Sequence, residues 1–313
     1  MYMNSLPQGG VTRLDDWGVI RAKGDEAAAF LQGQLTQDVA GLVAGHARLA
    51  GYCSVKGRLL ATFVMWRPAS DEVLLACSAD VLPGVLKRLT MFVLRAKCKL
   101  SDASADVPLW GLAGPAADHA MPPDTQAAVW SQVNLANATL TRLPDATAAD
   151  GSPVWRRWLC AGVPPALLPD LPREMWLALE ARSGVARVVA ATSEQFVPQM
   201  VNFEVVGGVN FQKGCYPGQE VVARSQYRGT LKRRAQLFDA EEALAPGQEV
   251  FHSADAGQPA GMVVLAGGAA GAQSALIEVK LAALHDGTLH AGHADGPLLT
   301  PRALPYVLPA DAG

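Results

Sequence analysis

The spacing of apolar residues changes repeatedly along this chain, and each change marks an element. Behind Asp25, which is placed to cap a helix, Ala27, Phe30, Leu31 and Leu35 recur at helical spacing. Residues 51–63 then read as strand, tight turn at Lys56-Gly57, and strand. Residues 72–77 read as a further strand. Asp80 is placed to cap a second amphipathic helix running through Val85, Leu86, Leu89 and Phe92 to Leu94. The alternation predicts an α+β layout.

From 101 to 151 the pattern loosens into Ala, Asp and Pro clusters around short apolar pieces, and it predicts a loop-rich stretch. Residues 154–160 read as a strand, and 172–182 as a helix begun by proline. After Arg234 short β-like pieces (235–238, 249–252, 261–265, 275–281) alternate with Gly- and Pro-rich turns, the texture of a small antiparallel barrel. With a boundary near Gly229, this gives three units: an N-terminal α+β domain over 1–105, a second over 106–228, and the barrel over 229–313.

Composition narrows the function classes. Half of the 313 residues are apolar, enough for a sizeable core, and nothing suggests disorder. Lys plus Arg (26) nearly balances Asp plus Glu (29), so direct nucleic-acid binding is not expected. The weakly polar run 261–272 is too short to span a bilayer, and residues 1–10 lack the basic start and apolar centre of a secretion signal. A soluble, cytoplasmic protein is expected. Cys53, Cys77, Cys98, Cys160 and Cys215 lie far apart, which fits reduced thiols and argues against a disulfide framework or a zinc ribbon. His285, His290 and His293 fall in Gly-rich turns without a neighbouring cysteine and read as loop histidines, so no metal site is expected.

The densest unusual stretch is 207–228, centred on Lys213-Gly214-Cys215-Tyr216-Pro217-Gly218-Gln219-Glu220. Pro217 presets the second position of a turn and Gly218 supplies the positive φ of the third. That turn would hold Cys215 just before a β-like run at 221–223. Gly214 removes a side chain beside the sulfur. Cations lower a thiol pKa, and Lys213 is two residues away while Arg224 can fold back to the same face. A ligand-facing, activated thiol and a plain turn cysteine both fit these residues.

This segment, followed by Val222-Ala223-Arg224 and Tyr227-x-Gly229, resembles the signature of the YgfZ family. Phe196-Val197-Pro198-Gln199 and Asn202 upstream also resemble family segments, as do Asp15-Asp16-Trp17, Gln32-Gly33-Gln34 with Thr36 and Asp38, and Tyr52-Cys53 with Lys56-Gly57-Arg58. Two departures stand out. Pro217 replaces the Thr of many relatives. The helix from Trp176 continues as Glu180-Ala181-Arg182-Ser183-Gly184-Val185-Ala186-Arg187, more charged than the Gly-aromatic-Pro pattern relatives show.

The resemblance implies a three-domain fold like the glycine-cleavage T-protein, built around a central channel that binds tetrahydrofolate. It implies folate contacts at Trp17 and Trp176, flat partners for a pterin or benzoyl ring, though each also reads as a core anchor. Tyr216, Gln219, Glu220 and Arg224 of the signature are the further candidate folate contacts, and Cys215 with Lys213 the candidate reactive pair. Arg224, Arg228, Lys232, Arg233 and Arg234 form a cationic cluster suited to a folate tail, to RNA phosphates, or to a solvated strand edge. The function so implied is a folate-dependent accessory protein for iron–sulfur client enzymes, linked indirectly to tRNA modification. A folate-dependent aminomethyltransferase, which has no evident need of a Lys-Gly-Cys motif, and an RNA-binding module using 224–234 are the rivals.

Overall fold

The computed structural model describes residues 9–122, 127–147, 155–227 and 231–309. Val154, Arg228 and Gly229, invoked above, lie outside them. In chain order the elements are β1 (Gly10–Arg13), β2 (Trp17–Lys23), α1 (Ala27–Gln32), β3 (Ala47–Cys53), β4 (Leu59–Ala69), β5 (Glu72–Ser78), α2 (Leu82–Val93) and β6 (Lys99–Asp102). Then follow β7 (Leu109–Ala113), α3 (Gly114–His119), β8 (Gln132–Leu135), β9 (Ala138–Ala146), β10 (Trp155–Gly162), α4 (Arg173–Arg182) and α5 (Gln219–Tyr227). The last six strands are β11 (Arg233–Ala240), β12 (Glu249–His252), β13 (Gly261–Ala269), β14 (Ala272–Lys280), β15 (Leu289–Ala291) and β16 (Leu298–Arg302).

Three sheets result. The first runs β3-β4-β5-β2-β6 and the second β1-β7-β10-β9-β8, while β11-β14-β13-β12-β15-β16 close into an antiparallel barrel. This is the α+β architecture with a C-terminal barrel that the sequence pattern predicts. β1 is an outlier in connectivity: it leaves the N-terminal unit and pairs antiparallel with β7. The segment expected to be loop-rich supplies β7, α3, β8 and β9. Their apolar residues are few and Ala-rich; β7 and β9 are held by pairing with β10, a partner remote in sequence from β7, and β8 by pairing with β9.

Both expected helices exist, but their caps differ. Neither has a side-chain cap; α1 starts behind Glu26 and α2 behind Val81. Asp80 instead accepts from the backbone N–H of Ala190 at 2.9 Å, a long-range tie that outcompetes local capping. In α2, Leu82, Val85 and Leu89 form the buried stripe. The β-like run at 221–223 is helix. Val221 and Val222 favour strand locally, but among the described residues no strand lies beside them to pair. The Tyr216 and Gly218 carbonyls start the helix instead, by accepting from the N–H groups of Gln219 and Val222. Only Val222 of α5 is buried, and its carbonyl accepts from Gln199.

Helix α4 joins the three units. Its proline-led first turn abuts the first sheet through the Arg173–Asp16 ion pair. Another face packs on β13, where Gly267 leaves no room for a side chain: a Cβ there would lie 2.2 Å from Leu177 Cβ and 2.5 Å from its backbone carbon. Arg182 at the helix end donates to Ser274 of β14 and Asp239 of β11. Gly267→Ala is therefore expected to lever the barrel off α4 and to cost roughly 1–3 kcal/mol, as overpacked sites do, read as a lower urea midpoint with an unchanged slope.

Candidate functional site

Trp176 and Glu180 lie four residues apart on α4 and so share one face. Arg187 returns to that face from the extended segment behind the helix. All three are buried. Arg187 grips Glu180 with two prongs, Nε to Oε1 at 2.7 Å and Nη2 to Oε2 at 3.0 Å. It also donates to Ser78 Oγ at 2.9 Å and to Asp16 Oδ2 at 2.8 Å. Burial by itself would lower the Arg187 pKa; the Glu180 and Asp16 carboxylates outweigh that and raise it.

Two arginines cover the two tryptophans singled out by the sequence. The Arg187 guanidinium sits 5.0 Å from the Trp17 ring centroid and that of Arg157, on β10, 5.4 Å from the Trp176 ring. Trp176 is also seated against Gly111 of β7, where a Cβ would come within 2.6 Å of the indole. With Trp130, Leu49 and Phe63 these side chains enclose an inner chamber of about 40 Å³. The indole N–H groups of Trp17 and Trp176 are buried without a hydrogen-bond partner.

Trp130, Leu49, Pro144, Ser183 and Val185 also line an outer cleft of about 630 Å³, which opens past Arg48, Gly207 and Tyr306. The two spaces thus share a wall. Trp130 holds φ +70°, a left-handed backbone that bulky residues rarely adopt. Two hydrogen bonds pin it: its N–H donates to Arg142 O at 2.8 Å, and its carbonyl accepts from Ala47 N–H at 2.7 Å. Tyr306 closes the far rim, donating to Gly184 O at 2.7 Å. The cleft is therefore walled by both α+β units and by the segment that follows the barrel.

The Lys213–Glu220 segment lies elsewhere. None of its residues lines either space. Cys215 is exposed, while burial pushes the thiols of Cys53, Cys77 and Cys160 up to about 12. Gly218 (φ +78°) nests on the β3–β4 turn: a Cβ there would meet Ser54 O at 2.3 Å and Gly57 Cα at 2.7 Å. The two turns picked out from sequence are thus one platform, and both need glycine at their contact. Lys213 reaches under it and donates to the carbonyls of Gln32 and Leu35 at the end of α1, the latter at 2.6 Å. Its ammonium also lies 5.0 Å from the Tyr216 ring. Desolvation lowers the Lys213 pKa to about 8, against the pull of Asp38 and the Cys215 thiol.

Other candidates from the signature point outward or inward rather than to the cleft. Tyr216 is buried, and desolvation raises its pKa. Glu220 and Arg224 are an exposed i,i+4 pair 3.9 Å apart on α5, and Arg224 does not fold back to form a hydrogen bond near Cys215. The cationic cluster is not one surface. Arg233 is paired with Glu278 and Arg234 with buried Glu204, which leaves Lys232 exposed and Arg228 outside the described residues. Arg157, Trp130 and the Glu180–Arg187 pair line the inner chamber and were not singled out as site residues from the sequence; the charged run after Trp176 was the one visible signal. Among the described residues no group of three His, Cys, Asp or Glu gathers to hold a metal, and no helix is long and apolar enough to cross a membrane.

Two α+β units and a barrel around such a cleft define the aminomethyltransferase T class of fold. The chain superposes on glycine cleavage system aminomethyltransferase T from Bartonella henselae with a TM-score of 0.72, covering 96% of this chain and 86% of that one at 16% identity. No protein-family model matches the chain. Among curated proteins, the tRNA-modifying protein YgfZ of Vibrio vulnificus is 31% identical over 252 residues, 77% of this chain and 74% of that protein. That of Edwardsiella ictaluri is 32% identical over 242 residues, 71% and 68% of the respective chains. The chain belongs to the YgfZ family.

Two outcomes follow from the charges. Glu180→Ala leaves Arg187 buried with only the half-exposed Asp16 as counter-ion and should destabilise the fold by about 3 kcal/mol; Glu180→Ala with Arg187→Met should recover part of it in urea titrations. Lys213 has a folded pKa near 8 against 10.5 for an ordinary lysine, so between these values the folded chain binds fewer protons than the unfolded one. Stability from this group rises with pH there. The stability of the natural chain relative to Lys213→Met should therefore increase from pH 7 to pH 10.

Proposed function

We propose that this chain binds a reduced folate in the two-chambered cleft and acts as an accessory protein for the assembly or repair of iron–sulfur clusters in client enzymes. On this reading its link to tRNA modification, the role for which its relatives are named, runs through those clients. The observation that carries the folate assignment is the chemistry of the lining. Three tryptophans, a buried carboxylate and two buried guanidiniums surround one space, and two indole N–H groups there lack partners. A flat heterocycle with donors along one edge and an acceptor beside them suits that set. The inner chamber is large enough for the polar edge of such a ring, and the outer cleft for its body and tail.

Cys215 serves a second site. Its exposure, on a platform locked by Gly57, Gly218 and Lys213, suits contact with a partner protein better than contact with the bound ligand. Lys213 in this view holds the thiol's loop to α1. The cleft and the thiol then divide the labour, with ligand binding inside and client contact outside.

Titration with tetrahydrofolate, followed by tryptophan fluorescence, tests the ligand assignment. Trp17→Ala and Trp176→Ala should each weaken binding by at least about 1 kcal/mol, and unchanged titration curves would remove both residues from the site. Cys215→Ser should leave that binding intact yet fail to restore iron–sulfur enzyme activity in a strain deleted for the protein. Full complementation would make Cys215 dispensable, and robust glycine-cleavage turnover with lipoyl carrier protein would replace the accessory role with an aminomethyl transfer.

A further inference from the structure

The two buried arginines of the inner chamber are not equivalent. Arg187 is fully engaged by Glu180, Asp16 and Ser78. Arg157 is just as buried, yet it forms no ion pair among the described residues. Its side chain makes one hydrogen bond, from Nε to Pro144 O at 3.2 Å, and no partner among the described residues takes its Nη1 and Nη2 groups. Desolvation lowers its pKa to about 10, and Glu180 and Asp145 act on it only through space. A buried cation left without a counter-group costs several kcal/mol, and such orphans mark places where something else supplies the acceptor. Arg157 lines the chamber together with Trp17 and Trp176, whose buried indole N–H groups also lack acceptors.

We infer that Arg157 receives a ring carbonyl oxygen of the bound pterin, so that the site selects 4-oxo pterins against 4-amino analogues. The inference rests on the folate assignment above and goes beyond it by naming the discriminating atom. A carboxylate is the poorer occupant for this position. The chamber is narrow and walled by Trp17, Trp130, Trp176, Leu49 and Phe63, which favours a flat neutral ring over a hydrated, flexible acid. The carboxylate of Glu180, the only acid on the wall, keeps lone pairs beyond its two bonds to Arg187 and can accept from the ring N–H and amino groups next to that oxygen. Donor-donor-acceptor along the ring edge then meets acceptor and donor along the wall. Replacing the oxygen by an amino group sets donor against donor at a buried cation, a mismatch far more costly than the loss of one apolar contact.

Folic acid and aminopterin differ only by the exchange of the 4-oxo for a 4-amino group, which also removes the proton from the neighbouring ring nitrogen, and they form a matched pair of probes with tetrahydrofolate as the reference. Calorimetric titration of the natural chain should show aminopterin binding at least tenfold more weakly than folic acid. In Arg157→Met, which keeps the bulk of the side chain and removes its donors, folic acid should weaken and the ratio should fall, leaving only the share that Glu180 contributes through the ring N–H. Equal affinities for the pair in the natural chain would overturn the inference without any variant, even if Arg157→Met fails to fold. So would a ratio preserved in a folded Arg157→Met. If tetrahydrofolate, folic acid and aminopterin all fail to bind, the folate assignment falls and takes this one with it; if tetrahydrofolate and folic acid bind but discrimination is absent, only the role of Arg157 is lost.

Discussion

The buried grip of Arg187 on Glu180 and Asp16 is the interaction on which the rest of the structure depends. It ties α4 to the turn before β2 and to Ser78 at the end of β5. It therefore sets the distance between the first sheet and the helix that carries the barrel. Two charges taken out of water are tolerable only when each is met by good geometry. Here one guanidinium meets two carboxylates and a hydroxyl, and the cavity wall is built from the same atoms. The ions that join the units are also the ions that shape the cleft.

That double use explains why the site is so unevenly satisfied. A chamber lined only by closed ion pairs would be a structural joint. Arg157 breaks the symmetry, since it brings a charge to the chamber wall that no ion pair among the described residues answers, and the buried indole N–H groups of Trp17 and Trp176 also lack partners. The strained backbone of Trp130, pinned between Ala47 and Arg142, stands at the wall shared with the outer cleft. Strain and unpaired donors tend to accumulate where binding is the purpose.

The Cys215 platform obeys a different logic. Its precision comes from backbone contact: Gly218 against Ser54 and Gly57, and Lys213 clasping the carbonyl end of α1. These contacts hold an exposed thiol in place with little hydrophobic cover. One segment thus gives the clearest family signature, while the lining of the cleft is assembled from residues scattered over the chain.

How much of this was legible beforehand follows from the range of the interactions. Local pattern showed the amphipathic stripe of α2, the hairpin at Lys56-Gly57, the proline-led α4 and the strand-and-turn rhythm of the barrel, because each is decided by neighbours within a few residues. It misjudged the role of Asp80 and the strands hidden in the Ala-rich stretch, since partners far along the chain override local preference there, and the helix over Gln219–Tyr227, where local carbonyl bonds form because no described strand lies beside the valines. Composition could show neither that Arg233 and Arg234 are spent on internal carboxylates nor that Arg157 is left over. The sequence by itself determined the family, the fold class and the two glycine turns, all written in contiguous residues. Only the tertiary structure decided which charges are paired and which face the cleft, because burial and counter-charge are properties of residues brought together from different sheets.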